Sequence, residues 1–224
     1  MTFLSRSDET APAFPLGLLF FVCLVLAWSW IGAADRMTWW LEAFPALIAL
    51  PVLAITYKRF QFTRLAYVLI ALHACILLVG AHYTYERVPL FNWIRDHFHL
   101  HRNDYDKLGH LAQGFVPAII AREILIRRRV VATGWWLVFL VMCVCMAISA
   151  CYVLLEWGVA LLEGSGADAF LATQGDPFDT QSDMFCALIG AAAALLLLTR
   201  THDRQIVRLA RASSNAQEIF AAAE

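Results

Sequence analysis

The sequence predicts an all-α bundle that crosses a membrane about six times, and two observations carry that prediction. Of the 224 residues, 61% are hydrophobic and 16% are charged, against roughly 45–50% apolar and about 25% charged in soluble domains. The apolar residues also gather into six segments, at 15–33, 39–57, 65–82, 108–126, 135–162 and 184–199. Most of these reach the ~20 residues needed to cross a bilayer core of ~30 Å. The chain therefore divides into an N-terminal tail (1–14), a transmembrane domain (15–199) and a basic C-terminal tail (200–224).

The first segment follows Asp8 and Glu9 and ends without a small-residue cleavage site, so it is expected to stay as a helix rather than act as a signal peptide. Trp28, Trp30, Trp39, Trp40, Trp93, Trp135, Trp136 and Trp157 fall mainly near segment ends, where aromatic rings settle at the membrane interface. His110, Gln113, Arg122 and Glu123 interrupt the fourth segment. Such a helix belongs inside the bundle, where its polar groups find partners. Two long connections, 83–107 and 163–183, are expected to be non-helical. In the tail, Ile206, Leu209 and Ala210 lie among Arg200, Arg204, Arg208 and Arg211. That spacing suits a basic helix on the inner leaflet or a solvated, disordered tail.

The 17 Lys and Arg against 18 Asp and Glu give no global basic field, which excludes a nucleic-acid binder. Locally the charge is uneven. Counted by alternating side, twelve basic residues, from Arg6 through Lys58, Arg59 and Arg64 to the Arg122–Arg129 and Arg200–Arg211 groups, fall on one side, and five (Arg36, Arg87, Arg95, Arg102, Lys107) on the other. The positive-inside rule then places both termini in the cytoplasm. Cys23, Cys75, Cys143, Cys145, Cys151 and Cys186 all lie in apolar stretches and read as small buried hydrophobes without disulfides. Cys143 and Cys145, two apart, face different sides of a helix.

With that topology, four polar clusters distant in the chain meet at the extracytoplasmic face: His82 to Glu86, Asn103 to His110, Tyr152 with Glu156, and Asp176, Asp179 and Asp183. Asp106 and His110 share a helix face, and a carboxylate beside an imidazole suits metal ligation or acid–base work. Equally, Asp106 can cap its helix and His110 can be a satisfied polar group. Glu156 follows a long apolar run, where a lone carboxylate is costly; Tyr152, one turn back, can hydrogen-bond it, and Arg102 or Lys107 can pair with it. The 174–183 stretch carries three carboxylates and no basic residue. One is explained by capping and a second by the helix dipole, so a cation or a cationic partner is expected beside the rest.

The run Arg102, Asn103, Tyr105, Asp106, Lys107, Gly109, His110, Gln113, Gly114, followed by Glu156, Trp157, Gln174, Gly175, Asp176, Asp179, Asp183 and Met184, resembles the YjdF family of bacterial inner-membrane proteins. The resemblance spans roughly 65–198 and implies a multi-pass protein of the bacterial inner membrane; it transfers no activity. The family's Tyr-Glu pair near the end of the fifth helix is Tyr152-Val153 here, with the acid at Glu156. A looser resemblance is to VanZ-like membrane proteins, on Asp106, Lys107, His110, Glu156, Asp183 and Gly190, with Ala187 where that family has Asn; it implies a link to the cell envelope.

The expectation is an outward-facing acidic and histidine pocket. His110, Glu156, Asp176, Asp179 and Asp183 are the candidate ligands of a divalent cation, Mg²⁺, Mn²⁺ or Ca²⁺ ahead of Zn²⁺. Asp106, His110 and Glu156 are the candidate catalytic groups, and Arg102, Lys107 and Tyr152 the groups that hold a phosphate-bearing lipid or envelope precursor. Two other classes stand beside this metal-dependent hydrolase or transferase: a non-enzymatic envelope or stress-response component, and a transporter, which would want charges spread through the membrane depth and repeated, broken helices. Membrane lipids are the expected surroundings, and the sequence leaves the oligomeric state open.

Overall fold

In the computed structural model, residues 12–163 and 172–221 are described, with 213–221 as helical backbone. Among these residues seven α-helices follow one another: α1 (Ala13–Trp30), α2 (Arg36–Thr56), α3 (Arg64–Tyr83), α4 (Pro89–Phe98), α5 (Tyr105–Arg127), α6 (Trp135–Glu163) and α7 (Asp179–Ala221), with a 3₁₀ turn at Tyr85–Arg87. No strand occurs among the described residues. α1, α2, α3, α6 and α7 are long and apolar enough to cross a membrane. α5, the fourth expected segment, has the length with 23 residues but carries more charge, and its polar side chains point into the protein: Asp106, His110, Arg122 and Glu123 are all buried. That placement is the one its sequence demands, because hydrocarbon offers those groups no partners.

The chain corrects two expectations about its connections. The first is not wholly irregular, since α4 forms within it. Pro89 supplies the pre-set φ of a first helical position, and His99 closes the helix in a left-handed conformation at φ 54°. α4 leaves Leu90, Trp93 and Phe98 exposed, the pattern of a helix lying at a membrane interface. The last helix begins at Asp179, a turn earlier than the apolar run, and continues without a break to Ala221. The tail's start is thus neither disordered nor a separate helix, and Ile206 and Leu209 are buried. The first apolar segment stands as the helix α1, and the extreme tails, 1–11 and 222–224, lie outside the described residues.

Of the cysteines, only Cys145 is buried; Cys23, Cys143 and Cys151 are exposed and all six are free. The different faces of Cys143 and Cys145 follow the two-residue spacing, but the exposed thiols stand outside the core, Cys151 among the residues that line a cavity beside α6. Trp30, Trp39 and Trp40 pack edge to face within 4.8–5.7 Å, and Asp35 caps α2 by accepting from Thr38 N–H at 2.7 Å. That bond holds the Asp35 carboxyl below its usual range.

Two devices join α5 to α7. The first is close approach: a Cβ on Gly114 would lie 1.8 Å from the Ala187 carbonyl oxygen, and one on Gly190 would lie 2.0 Å from that of Leu111. Small residues let helix backbones touch inside a membrane. The second is a polar clasp at the end bearing most of the arginines. Glu123, fully buried, accepts from Thr63 N–H (3.0 Å) and Thr63 Oγ1 (2.8 Å), from Arg127 (2.7 Å) and from His202 Nε2 (3.0 Å). Arg122 donates to His202 Nδ1 at 3.1 Å and to Asp203 at 2.6 Å. An arginine can only donate, so the pair of contacts assigns the His202 proton to Nε2. In Glu123→Gln one acceptor becomes a donor facing donors. We expect a loss of about 1–3 kcal/mol, read as a lower melting temperature of the purified protein; an unchanged melting point would remove the clasp from the fold's supports.

Candidate functional site

At the opposite end of the α5–α7 pair, the first turns of both helices lie side by side. Asp104 precedes α5 without a side-chain cap bond, and Asn103 Oδ1 accepts from Tyr105 N–H at 3.1 Å. Asp106 is therefore not the cap; it is 6% exposed and turned inward. His110 Nε2 stands 3.4 Å from Asp106 Oδ1 and 3.6 Å from Asp183 Oδ2. One ligand atom from each of these three buried residues falls within 4.8 Å of the others. Two ligands at ~2.0–2.1 Å from one ion stand roughly 3.0–3.4 Å apart in octahedral or tetrahedral geometry, and the two His110 contacts lie close to that spacing. On its other side, His110 Nδ1 meets Gln113 Oε1 at 3.1 Å. Nε2 faces the two carboxylates; a cation bound there would take Nε2 in its unprotonated form, with the Nδ1 proton held on Gln113 as an outer partner orients a histidine ligand.

The 174–183 stretch has no basic residue of its own, and the cationic partners expected beside its carboxylates come from another part of the chain. Lys107 Nζ lies 2.6 Å from Asp179 Oδ1 and 2.5 Å from Asp183 Oδ1. Arg102 reaches Asp179 Oδ1 at 2.5 Å, Asp176 at 3.7 Å and Asp106 at 3.5 Å, and donates to the backbone oxygens of Ala172 and Thr173. Burial works against the Arg102 charge, but Asp179 outweighs it and holds the pKa above its usual value. Arg102 and Lys107 thus fasten the 172–183 stretch onto α5, and neither stands free as a phosphate-binding group. Gln174 completes the attachment, accepting from Asn103 N–H at 3.0 Å and donating to the Asn103 carbonyl at 2.9 Å. Asp176 caps the turn before α7 by accepting from Phe178 N–H at 2.9 Å.

Glu156 and Tyr152 face the same space from α6. They line a cavity of about 980 Å³ together with Asp106, His110, Gln113, Tyr85 and Glu42, and the Tyr152 ring stands edge-on to His110 at 5.9 Å. Glu156 makes no hydrogen bond or ion pair among the described residues, so neither the Tyr152 bond nor a pairing with Arg102 or Lys107 forms. Glu42 was not a sequence candidate. It is 1% exposed, and neither carboxylate oxygen meets the geometry of a hydrogen bond, although the Tyr85 backbone N–H lies beside it. The signal for it was there: an acid inside a membrane span is by default a site residue. Tyr85, which burial pushes well above the usual tyrosine pKa, is slotted against Gly80 and Gly109, where any Cβ would strike its ring.

A family model described as "Predicted membrane protein (DUF2238)" matches residues 14–204. The chain is 51% identical over 185 residues to "Inner membrane protein YjdF" of Escherichia coli (strain K12), covering 83% of this chain and 88% of that protein. No solved structure matches.

Proposed function

The chain belongs to the DUF2238 family of membrane proteins, and from that premise we propose that its Asp106–His110–Asp183 centre binds a divalent cation and serves chemistry on a phosphate-bearing lipid or cell-envelope precursor. It is a multi-pass inner-membrane protein. The observation that carries the cation is the triad itself: two carboxylates and one imidazole, all buried, with ligand atoms within 4.8 Å and the histidine turned by Gln113. Oxygen-rich sites with one imidazole suit Mg²⁺, Mn²⁺ or Ca²⁺, with Zn²⁺ behind them. The cation would supply the positive charge for a phosphate, since Arg102 and Lys107 are engaged with aspartates. Glu156, unpaired on the cavity wall, is placed as the proton acceptor for a water or hydroxyl. Orientation supports the same reading. The positive-inside rule assigns the arginine-rich clasp to the cytoplasm, which sets the triad at the outer face, where envelope precursors are handled.

Metal content of the full-length purified protein, after loading with Mn²⁺ and removal of excess, tests this. We expect one ion per chain, and at least a tenfold loss of retention in His110→Ala. Glu156→Gln should weaken retention less and leave the melting temperature unchanged, because no basic partner is stranded. Equal retention in wild type and His110→Ala would overturn the cation.

A further inference from the structure

α2 packs on α3, and α6 packs on α5 and α7, so α2 and α6 stand apart as the two walls of a cleft floored by α3 and α5. Phe44, Ile48 and Val52 on one wall, and Ile148 and Leu155 on the other, are all exposed. They lie within membrane-crossing helices, and the cleft therefore opens sideways into the bilayer rather than into water.

Its carboxylates are all at one end. Glu42, Asp106, His110 and Glu156 meet there, and the cleft continues past His73 between mostly apolar walls to Thr56, Phe60 and Arg128 at the other end. Along α2, Glu42 to Thr56 measures about 21 Å at 1.5 Å per residue, more than half of a bilayer core of ~30 Å. A hydrocarbon chain held along the membrane normal matches that length and lining. The buried Glu42 carboxylate has only the Tyr85 backbone N–H beside it, outside good hydrogen-bond geometry, and is too costly to leave ionised at membrane depth without a further partner. A donor on whatever fills the cleft would supply that partner.

We propose that the α2–α6 cleft seats one membrane phospholipid, entering from the bilayer, with an acyl chain between α2 and α6, its phosphate at the Asp106–His110–Asp183 cation and an O–H or N–H of its headgroup on Glu42. The headgroup half of this inference rests on the cation reading above; the chain half rests on the cleft alone. A polar head and a long apolar tail are the two properties that the cleft presents in that order, and a water-soluble precursor has only the first.

Full-length protein reconstituted in phosphatidylethanolamine and phosphatidylglycerol vesicles, with a trace of phosphatidylglycerol carrying a photoreactive group on one acyl chain, tests the seat by mapping adducts on peptides. Adducts should concentrate at least threefold on Phe44, Ile48, Val52 and Leu155 over the lipid-facing Leu16, Leu196 and Leu197. Val52→Trp, an exposed position that folding tolerates, and Ala147→Trp, on the facing wall, should each remove that excess by filling the cleft. Even labelling of all lipid-facing residues, or an excess that survives both tryptophans, would overturn the proposal. Chelation separates its two halves. Loss of cleft labelling with EDTA supports the metal-held headgroup. Cleft labelling that persists both with EDTA and in His110→Ala leaves the chain seat standing and overturns the cation's part, whereas bound metal without cleft labelling overturns the seat and leaves the cation reading intact.

Discussion

Gly114→Ala is expected to lower stability by about 3 kcal/mol, the upper range for inserting a methyl group into a packed interior, and, on the cation reading, to lower Mn²⁺ retention as well. The new Cβ would sit 1.8 Å from the Ala187 carbonyl oxygen and 2.6 Å from its carbon. Both are backbone atoms, so no side chain can rotate away, and α5 and α7 have to separate. The polar pairs on either side of the contact then stretch together: Lys107 with Asp183 toward one end, and Glu123 with His202 toward the other. Because His110 stands on α5 and Asp183 on α7, the same separation pulls the triad apart. The measurement is thermal melting of the purified protein beside its metal content. Gly190→Ala should behave alike, since its Cβ meets the Leu111 carbonyl oxygen at 2.0 Å. A Gly114→Ala protein that melts with the wild type and keeps its metal would show that the helices do not touch as described.

Much of this architecture was legible in the sequence because a bilayer imposes a coarse rule: length and hydropathy mark the spans, and a charged helix must lie inside. Those rules found α5's interior place and the convergence of Asp106, His110, Glu156 and Asp183. What they could not reach was pairing. Asp179 looks uncompensated in the 174–183 stretch, yet its partners Arg102 and Lys107 stand more than seventy residues away, and only the α5–α7 approach brings them to it. The same blindness hid the Glu123–His202 contact, which joins an interior acid to a residue assigned to the tail. Glu42 escaped for a different reason: the signal of an acid within a span is masked by Trp39 and Trp40 beside it, which mark that end as interfacial, and its burial shows only in the fold. α4 went unread because ten residues of mixed polarity carry no span signal, although Pro89 and the spacing of Phe91, Ile94 and Phe98 hold the pattern of a short surface helix.

The arrangement of Lys107 leads to the second large effect. Its ammonium group bridges Asp179 and Asp183 and lies 3.8 Å from Asp106, with its side chain 17% exposed. Lys107→Met keeps the length of the side chain and deletes the charge, leaving Asp183 and Asp179 with one fewer cation in a site that excludes most water. Removing one member of a buried ion pair destabilises by about 3–5 kcal/mol, because the partner charge stays behind; the melting temperature of metal-free protein should fall accordingly. The two readings of the acidic end then part. If the cluster is only a salt-bridge network, divalent cations added to the variant have no built place to bind and its melting temperature stays low. If the triad is a cation site, freeing Asp183 Oδ1 strengthens it, and Mn²⁺ at a hundred times its dissociation constant should restore about 2.7 kcal/mol. The restored increment should vanish in Lys107→Met combined with His110→Ala, which removes the imidazole but keeps every carboxylate. Full recovery of that double variant by Mn²⁺ would mean that loose carboxylates, and not the Asp–His–Asp centre, had taken up the ion.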